Sequence, residues 1–369
     1  MNNYYITTTK QLECVYRKIL KSNNKKLAID TEFLRKRTYY PILCLIQIAF
    51  YDCNNELESY IIDPLSKDID LKKFYDLLAN GKVKKIFHSM IQDYDALYFL
   101  NKNMKLVNFD DTQIMSEFCG LNYNLGYVDV IKEALGISIE KDKEIQISNW
   151  NARPLTQKQK AYALNDVKYL IGVYDEFLSR LIKCNNYDFY LDEIAHIKKI
   201  KNVNYIINNA WKRLRIELHK RPLYVVKIIK KICEWREKIA IKENVIKNII
   251  LDDEIICDIA TLIEEGKVDY VKKINKIKKK YKNDILNIIN INLSQKNKKT
   301  LFYSKDSGFP KKEKLNSIYS TVHDFSQERN IEISKILTKF DIISVLMGYS
   351  PRKTVLYGWK NKYFSSFLK

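Results

Sequence analysis

A chain of 369 residues is longer than one hydrophobic core usually organises and suits two or three domains. Hydrophobic residues at 46% and aromatics at 12%, with only nine Gly and six Pro, exclude long disordered tracts. The net charge of +20 is uneven, because residues 1–195 hold 26 Lys+Arg against 26 Asp+Glu while 196–369 hold 38 against 18. Scattered lysines on a solvated face would spread the excess over both parts. Its confinement to the second points to a polyanion partner there, nucleic acid before membrane, since no lipidation signal is visible.

The opening MNNYYITTTKQLECVYRKIL lacks the apolar core and small-residue cleavage site of a secretory signal. No apolar run approaches the roughly 18 residues that span a bilayer, so a soluble, cytoplasmic protein is expected. Cys14, Cys44, Cys53, Cys119, Cys184, Cys233 and Cys257 form no CxxC pair, which suggests neither a disulfide framework nor a zinc site.

KLAIDTEFL (26–34) reads as a strand, PILCLIQIAFYD (41–52) as a second and SYIID (59–63) as a third, ended by Pro64. Their close spacing predicts an antiparallel meander. LKKFYDLLAN then reads as a helix stopped at Gly81, VKKIFH as a strand, IQDYDALYFLNK as a helix, and Thr156 to about Lys183 as a helical run. This alternation predicts a mixed sheet flanked by helices. Beyond about residue 196 the pattern is all-α, clearest in VVKIIKKICEWREKIAI and DEIICDIATLIEE. The basic run KKINKIKKKYK (272–282) keeps Ile274, Ile277 and Tyr281 at helical spacing and reads as a charged helix. The polar stretch around Gly308 and Pro310 is the best internal linker. Trp235 and Trp359, in apolar surroundings, read as core anchors.

The chemistry lies in carboxylates. Asp30 and Glu32, two apart on a strand, project from one face, where two anions repel unless a cation sits between them. Asp93 follows the strand VKKIF at the start of a helix; Asp95, two residues on, points elsewhere on the helix and is set aside. Tyr162 and Asp166, four apart on a helix, share a face. Asp110 and Asp111 are left out of the set, one of them as a helix N-cap. Four carboxylates and a phenol on these elements supply hard oxygen ligands suited to two Mg²⁺ or Mn²⁺ ions.

DTEFLRKRTYYPILCLIQIA, HSMIQD, DDTQIMSEFCG and SNWNARPLTQKQKAYALNDVKYL resemble the ribonuclease D family. That resemblance implies an RNase H-like exonuclease domain over 1–195 of the DEDDy subtype, named for four acids and a tyrosine, all five present here. LYVVKIIKKICEWREKIAIKENVIKNIILDDEIICDIA (223–260) is similar to the HRDC domains of that family, which implies an HRDC-like domain at 205–290, a linker at 291–312 and a fainter second copy at 313–369. By the same resemblance Asp30, Glu32 and Asp166 hold the ion nearest the attacking water, Asp30 bridges to the second ion, Asp93 supports it and Tyr162 orients the water. Arg35, Lys36 and Arg37 are candidates to touch substrate phosphates, and His88 to assist as a hydrogen-bond donor. The implied activity is 3′–5′ trimming of RNA, such as tRNA precursors and other small stable RNAs, by a monomer. A DNA 3′–5′ exonuclease and a non-catalytic nucleic-acid scaffold are the rivals.

Overall fold

The computed structural model describes residues 4–35, 37–140, 142–200, 203–214, 221–294, 311–347 and 355–368. The chain divides into two compact units, the first of Met1–Lys36, Tyr40–Ile194 and Gln327–Lys335, the second of Arg37–Tyr39, Ala195–Ser326 and Ile336–Lys369. Lys36 and residues 295–310 of the expected linker lie outside the described residues.

The first unit is built on a six-stranded mixed sheet. Its strands are β1 (Tyr5–Ile6), β2 (Lys26–Leu34), β3 (Ile42–Tyr51), β4 (Leu57–Ile62), β5 (Lys84–Phe87) and β6 (Phe109–Asp111), in the order β1-β4-β3-β2-β5-β6. The predicted antiparallel meander is β2-β3-β4, and β1, β5 and β6 add to it in parallel. β3 is buried from Leu43 to Phe50, as a strand covered on both faces requires, and this explains its unbroken apolar run. Between Glu32 and Phe33 the ladder slips by one residue, so that Glu32 faces Leu45 and Phe33 faces Leu43. Such a bulge bends the strand and re-aims side chains at its end.

Helices follow as α1 (Thr9–Lys21), α2 (Lys72–Ala79), α3 (Ile91–Leu100), α4 (Thr112–Phe118), α5 (Tyr127–Leu135), α6 (Lys143–Gln146), α7 (Gln157–Lys168), α8 (Leu170–Lys183) and α9 (Tyr187–Ile200). α7 packs on β2, β3 and β4, and α3 on β2 and β3. Thr156 begins α7 with a capping box, its hydroxyl accepting from the Gln159 N–H while the Gln159 side chain accepts from the Thr156 N–H. The single helical run expected from Thr156 to Lys183 is broken at Tyr169, which ends α7 and starts α8.

The regular structure of the second unit, among its described residues, is helical: α10 (Val203–Asn208), α11 (Leu223–Glu243), α12 (Lys247–Ile250), α13 (Asp253–Glu264), α14 (Lys279–Ser294), α15 (Lys312–Arg329), α16 (Ile333–Ile336), α17 (Lys339–Leu346) and α18 (Gly358–Phe364), with α15 and α16 carrying its chain through 327–335 of the first unit. One face each of α11, α13 and α14 meets in a core that includes Ile229, Ile232, Ile256, Ile259, Ile285 and Ile289. Trp359 is buried, and Trp235 packs part-exposed against this core with its indole N–H donating to Asp284.

Two expectations need correction. The basic run at 272–282 is no single helix, because a 3-10 turn at Val268–Lys273 precedes a break and α14 begins only at Lys279. Val271 and Ile277 are both buried in one core, yet six residues on a straight helix turn the side chain through about 240°, so a break is needed to bury both. The linker placed at 291–312 starts too early, since 291–294 complete α14. No helix among the described residues is long and apolar enough to cross a membrane.

Candidate metal centre

Asp30 and Glu32 stand on β2 and Asp166 on α7, and one oxygen from each lies within 4.8 Å of the others. Each is partly buried. Burial and then the charge of Asp166 push the proton affinity of Asp30 well above the ordinary carboxylate range, against a hydrogen bond from the Thr31 backbone. Glu32 is pushed up to about 10 by burial and by Asp30, Asp166 and Asp93. Three carboxylates this close cannot all stay ionised without a counter-charge, and a proton or a cation are the ways to supply it.

Asp93 stands apart from the trio of oxygens. It is 5% exposed in the first turn of α3, and the Thr31 hydroxyl donates to its Oδ1 at 2.6 Å. Thr31 alternates to the other face of β2 from its neighbours Asp30 and Glu32, so Asp93 approaches this strand on a different partner. Burial and the charge of Asp30 raise its proton affinity strongly, which ties it electrostatically to the trio.

Tyr162, one turn before Asp166, packs half-buried against the core cluster that includes Leu45 and Ile61, with its ring 6.0 Å from that of Trp150. Burial, then Asp166, Glu32 and Asp30, hold its phenol protonated far above the usual range. At neutral pH it is therefore a hydrogen-bond donor rather than a base.

His88 Nδ1 is 3.0 Å from the Thr112 hydroxyl, which itself donates to the Phe87 carbonyl. This network assigns the proton to Nδ1. The imidazole lies 5.7 Å from the ring of Tyr127. Arg35 is exposed just beyond β2. Arg37 is grouped with the second unit; its backbone is left-handed at φ 57° and its carbonyl accepts from the Ile246 N–H. Of the candidates, Asp30, Glu32 and Asp166 thus form one group, with Asp93 and Tyr162 tied to it electrostatically, while His88 is held on Thr112 and Arg37 belongs to the second unit.

Two residues near the site, Thr31 and Tyr127, escaped the sequence reading, and a third, Asp111, was read only as a cap. Thr31 sits between the two acids of β2, where its strand position gave no hint of Asp93. Asp111 caps α4 through the N–H groups of Gln113 and Ile114, and its carboxylate also accepts from Ser89 and Met90, fixing the turn that launches α3 and Asp93. A cap at this position was expected; the second pair of bonds has no sequence signature. Tyr127 donates to the Asn165 carbonyl and accepts from the Tyr169 N–H, pinning the chain on either side of Asp166.

The 3′–5′ exonuclease family model matches residues 3–182. A protein named ribonuclease D from Bartonella henselae is 35% identical over 276 residues, 75% of this chain and 65% of that relative. Another so named, from Sphingobium indicum, is 30% identical over 97% of this chain and 92% of its own length. The chain thus spans slightly under two thirds of the first relative and nearly all of the second. Among solved structures, Escherichia coli RNase D, described as an exoribonuclease involved in structured RNA processing, superposes with a TM-score of 0.75 over 100% of this chain and 98% of that one. At 22% identity that likeness establishes a shared fold.

Proposed function

The chain belongs to the ribonuclease D family, and from that premise we propose that it is a 3′–5′ exoribonuclease which removes nucleotides one at a time from RNA with the help of two divalent metal ions. The observation that carries the reading is the group of Asp30, Glu32 and Asp166 oxygens within 4.8 Å, beside the protonated Tyr162.

The donor set fits hard cations. It offers carboxylate oxygens without sulfur or imidazole, the chemistry that suits Mg²⁺ or Mn²⁺. Burial and then their crowded negative charge push Glu32 up to about 10, and that charge is relieved when cations take the proton's place. Bound there, the ions would polarise the scissile phosphate and acidify the attacking water. Asp30, Glu32 and Asp166 would hold them, with Asp93 in support from its seat on Thr31. Tyr162 presents a phenolic O–H beside the carboxylates and, as a donor, orients the water or the phosphate. The His88 imidazole and the Arg35 and Arg37 side chains are assigned to the RNA strand, the arginines through phosphate.

The names of the relatives favour RNA over DNA as substrate. Precursors of tRNA and other small stable RNAs are the proposed targets, met in the cytoplasm by a monomer. Residues 205–290 are read as an HRDC-like domain and 313–369 as a degenerate second one, with residues 1–195 as the exonuclease domain. Their excess of 38 basic over 18 acidic residues from 196 onward supports a role in gripping RNA.

The test is a 5′-labelled tRNA carrying a 3′ extension and its DNA equivalent, incubated with Mg²⁺, with Mn²⁺ and with chelator. A ladder shortening from the 3′ end, dependent on metal and faster on RNA, is expected. Faster degradation of DNA would install the proofreading-type alternative, and no cleavage with either metal would leave a binding scaffold.

A further inference from the structure

Gln47 lies in the middle of β3 with its side chain fully enclosed. Among the described protein groups, neither its Oε1 nor its Nε2 has a hydrogen-bond partner. Buried amides are nearly always paired, because an unpaired one forfeits the hydrogen bonds it made to water in the unfolded chain. Packing does not call for a glutamine here. Gln47 is flanked along β3 by Leu45 and Ala49 and faces Ile61 across the ladder, all fully buried. A leucine or methionine would fill such a place with no polar group to leave dry.

The register offers a reason. On its other side Gln47 is the directly opposed partner of Asp30. Opposed residues of an antiparallel pair project from one face with Cβ atoms about 4.5–5.5 Å apart. That face also carries Glu32, Leu45 and Ile61, and it is covered by α7, which brings Ala163 onto it together with Tyr162. The orphaned amide is thus the lateral neighbour of a carboxylate at the centre of the site, inside the same covered layer.

We propose that Gln47 is a positioning residue for the metal centre, its Nε2–H fixing the Asp30 carboxylate, directly or through one water, when that group is ionised and holds a divalent cation. The inference rests on the two-metal reading above. An ionised aspartate has more acceptor sites than its cation and the Thr31 N–H use, and an amide donor beside it holds the carboxylate plane in one orientation. Outer hydrogen-bond partners of metal-binding carboxylates act in this way, and their loss weakens metal affinity or activity about 10- to 100-fold. A glutamine whose buried amide is left unpaired is intelligible if its partner is a charge present in the working state.

Gln47→Met and Gln47→Leu keep the volume and remove the donor. Full-length wild type and both variants would be titrated with Mn²⁺ by calorimetry, and their melting temperatures measured with and without Mn²⁺. Without Mn²⁺ the variants should melt at or above the wild type, since the unpaired amide is gone. They should bind Mn²⁺ about 10- to 100-fold more weakly, gain fewer degrees from it, and need correspondingly more of it for half-maximal RNA cleavage. Equal Mn²⁺ affinity would overturn the assignment, and so would variants that melt well below the wild type without metal, which would make Gln47 a support of the fold. A wild type that binds no Mn²⁺ at all would bring down the two-metal reading itself, a result distinct from either.

Discussion

Asp166, a proposed metal ligand, crowds charge onto its neighbours. Its carboxylate adds to the charge that raises both Asp30 and Glu32. Asp166→Asn keeps the shape and removes that charge. In the absence of metal the variant should therefore be at least as stable as the wild type by thermal melting, while single-turnover cleavage falls below detection. Near wild-type turnover would remove Asp166 from the ligand set. Tyr162→Phe separates a second role, because it deletes only the hydroxyl and leaves the ring on Trp150. The chemical step should slow by about 10²- to 10⁴-fold with Mn²⁺ affinity unchanged. If single-turnover rates of Tyr162→Phe and wild type coincide, the phenol is a packing residue.

Elements decide how these side chains meet, and α7 is the one whose placement matters most. The loop before it is tied down by Arg153, which reaches both carboxylate oxygens of Asp63 at 2.5 and 2.6 Å and the Cys44 carbonyl at 2.8 Å. Tyr5 donates to the same carboxylate at 2.5 Å, so β1, β3, β4 and the entry to α7 share one polar knot. Burial alone would raise Asp63, but the bonds from Arg153 and Tyr5 outweigh it and hold the carboxyl below its ordinary value. Arg153→Met leaves this 5%-exposed carboxylate without its cation, a loss of about 3 kcal/mol by the usual measure of a broken buried pair. Denaturant unfolding should show that drop, together with a fall in cleavage as α7 loosens; a variant with unchanged midpoint would free α7 from the knot. The sequence made β2, β3, β4 and α7 readable, because each carries its periodicity and stop signals within one short stretch. The knot was not readable, for its members lie 58 to 109 residues apart. β1 and α1 passed unnoticed although Thr8 and Gln11 form a capping box that could have marked the helix. β6 was hidden by its length of three residues, two of them acids more at home in a cap. The carboxylate group was legible as spacing along three elements. Its separation into a trio and an Asp93 held by Thr31 depends on strand alternation meeting a helix that starts elsewhere.

At the scale of the molecule, the division at Ala195 suggested by composition and family likeness omits a piece of the first unit. Gln327–Lys335 belongs with it. Lys335 reaches Glu117 at 2.6 Å and Glu193 at 3.6 Å, with side-chain exposures of 14%, 4% and 10%. Asn186 donates to the Arg329 carbonyl, and a Cβ on Gly120 would fall 2.0 Å from Nδ2 of Asn330, which explains a glycine there. A fragment ending at Ala195 keeps the carboxylate constellation and strands two buried acids, a destabilisation of about 3 kcal/mol. Burial already raises Glu117 against the pull of Lys335, and without Lys335 that pull is gone. A carboxyl raised in the folded state binds a proton on folding, so the fragment should gain stability as pH falls through the folded pKa toward the ordinary carboxylate value and lose it as pH rises back through the folded pKa. Installing Glu117→Gln and Glu193→Gln in the fragment should raise its melting temperature at pH 7 and flatten that response; no difference between the two fragments would make the 327–335 segment dispensable.

The charge asymmetry is therefore better tested in the intact chain. Lys272, Lys276 and Lys279 are exposed around the break between Val268–Lys273 and α14, where their side chains can be neutralised without touching the buried Val271 or Ile277. Each phosphate contact contributes about 0.7 to 0.9 to the slope of log affinity against log salt. If these lysines grip RNA, changing all three to Gln should flatten the slope for an extended tRNA by about 2, weaken binding at low salt, and leave the rate on a saturating short oligonucleotide intact. Filter binding from 50 to 200 mM salt, with melting curves to confirm the fold, measures this. Coincident slopes would show that this basic surface is merely solvated and that the grip on RNA lies elsewhere in the chain.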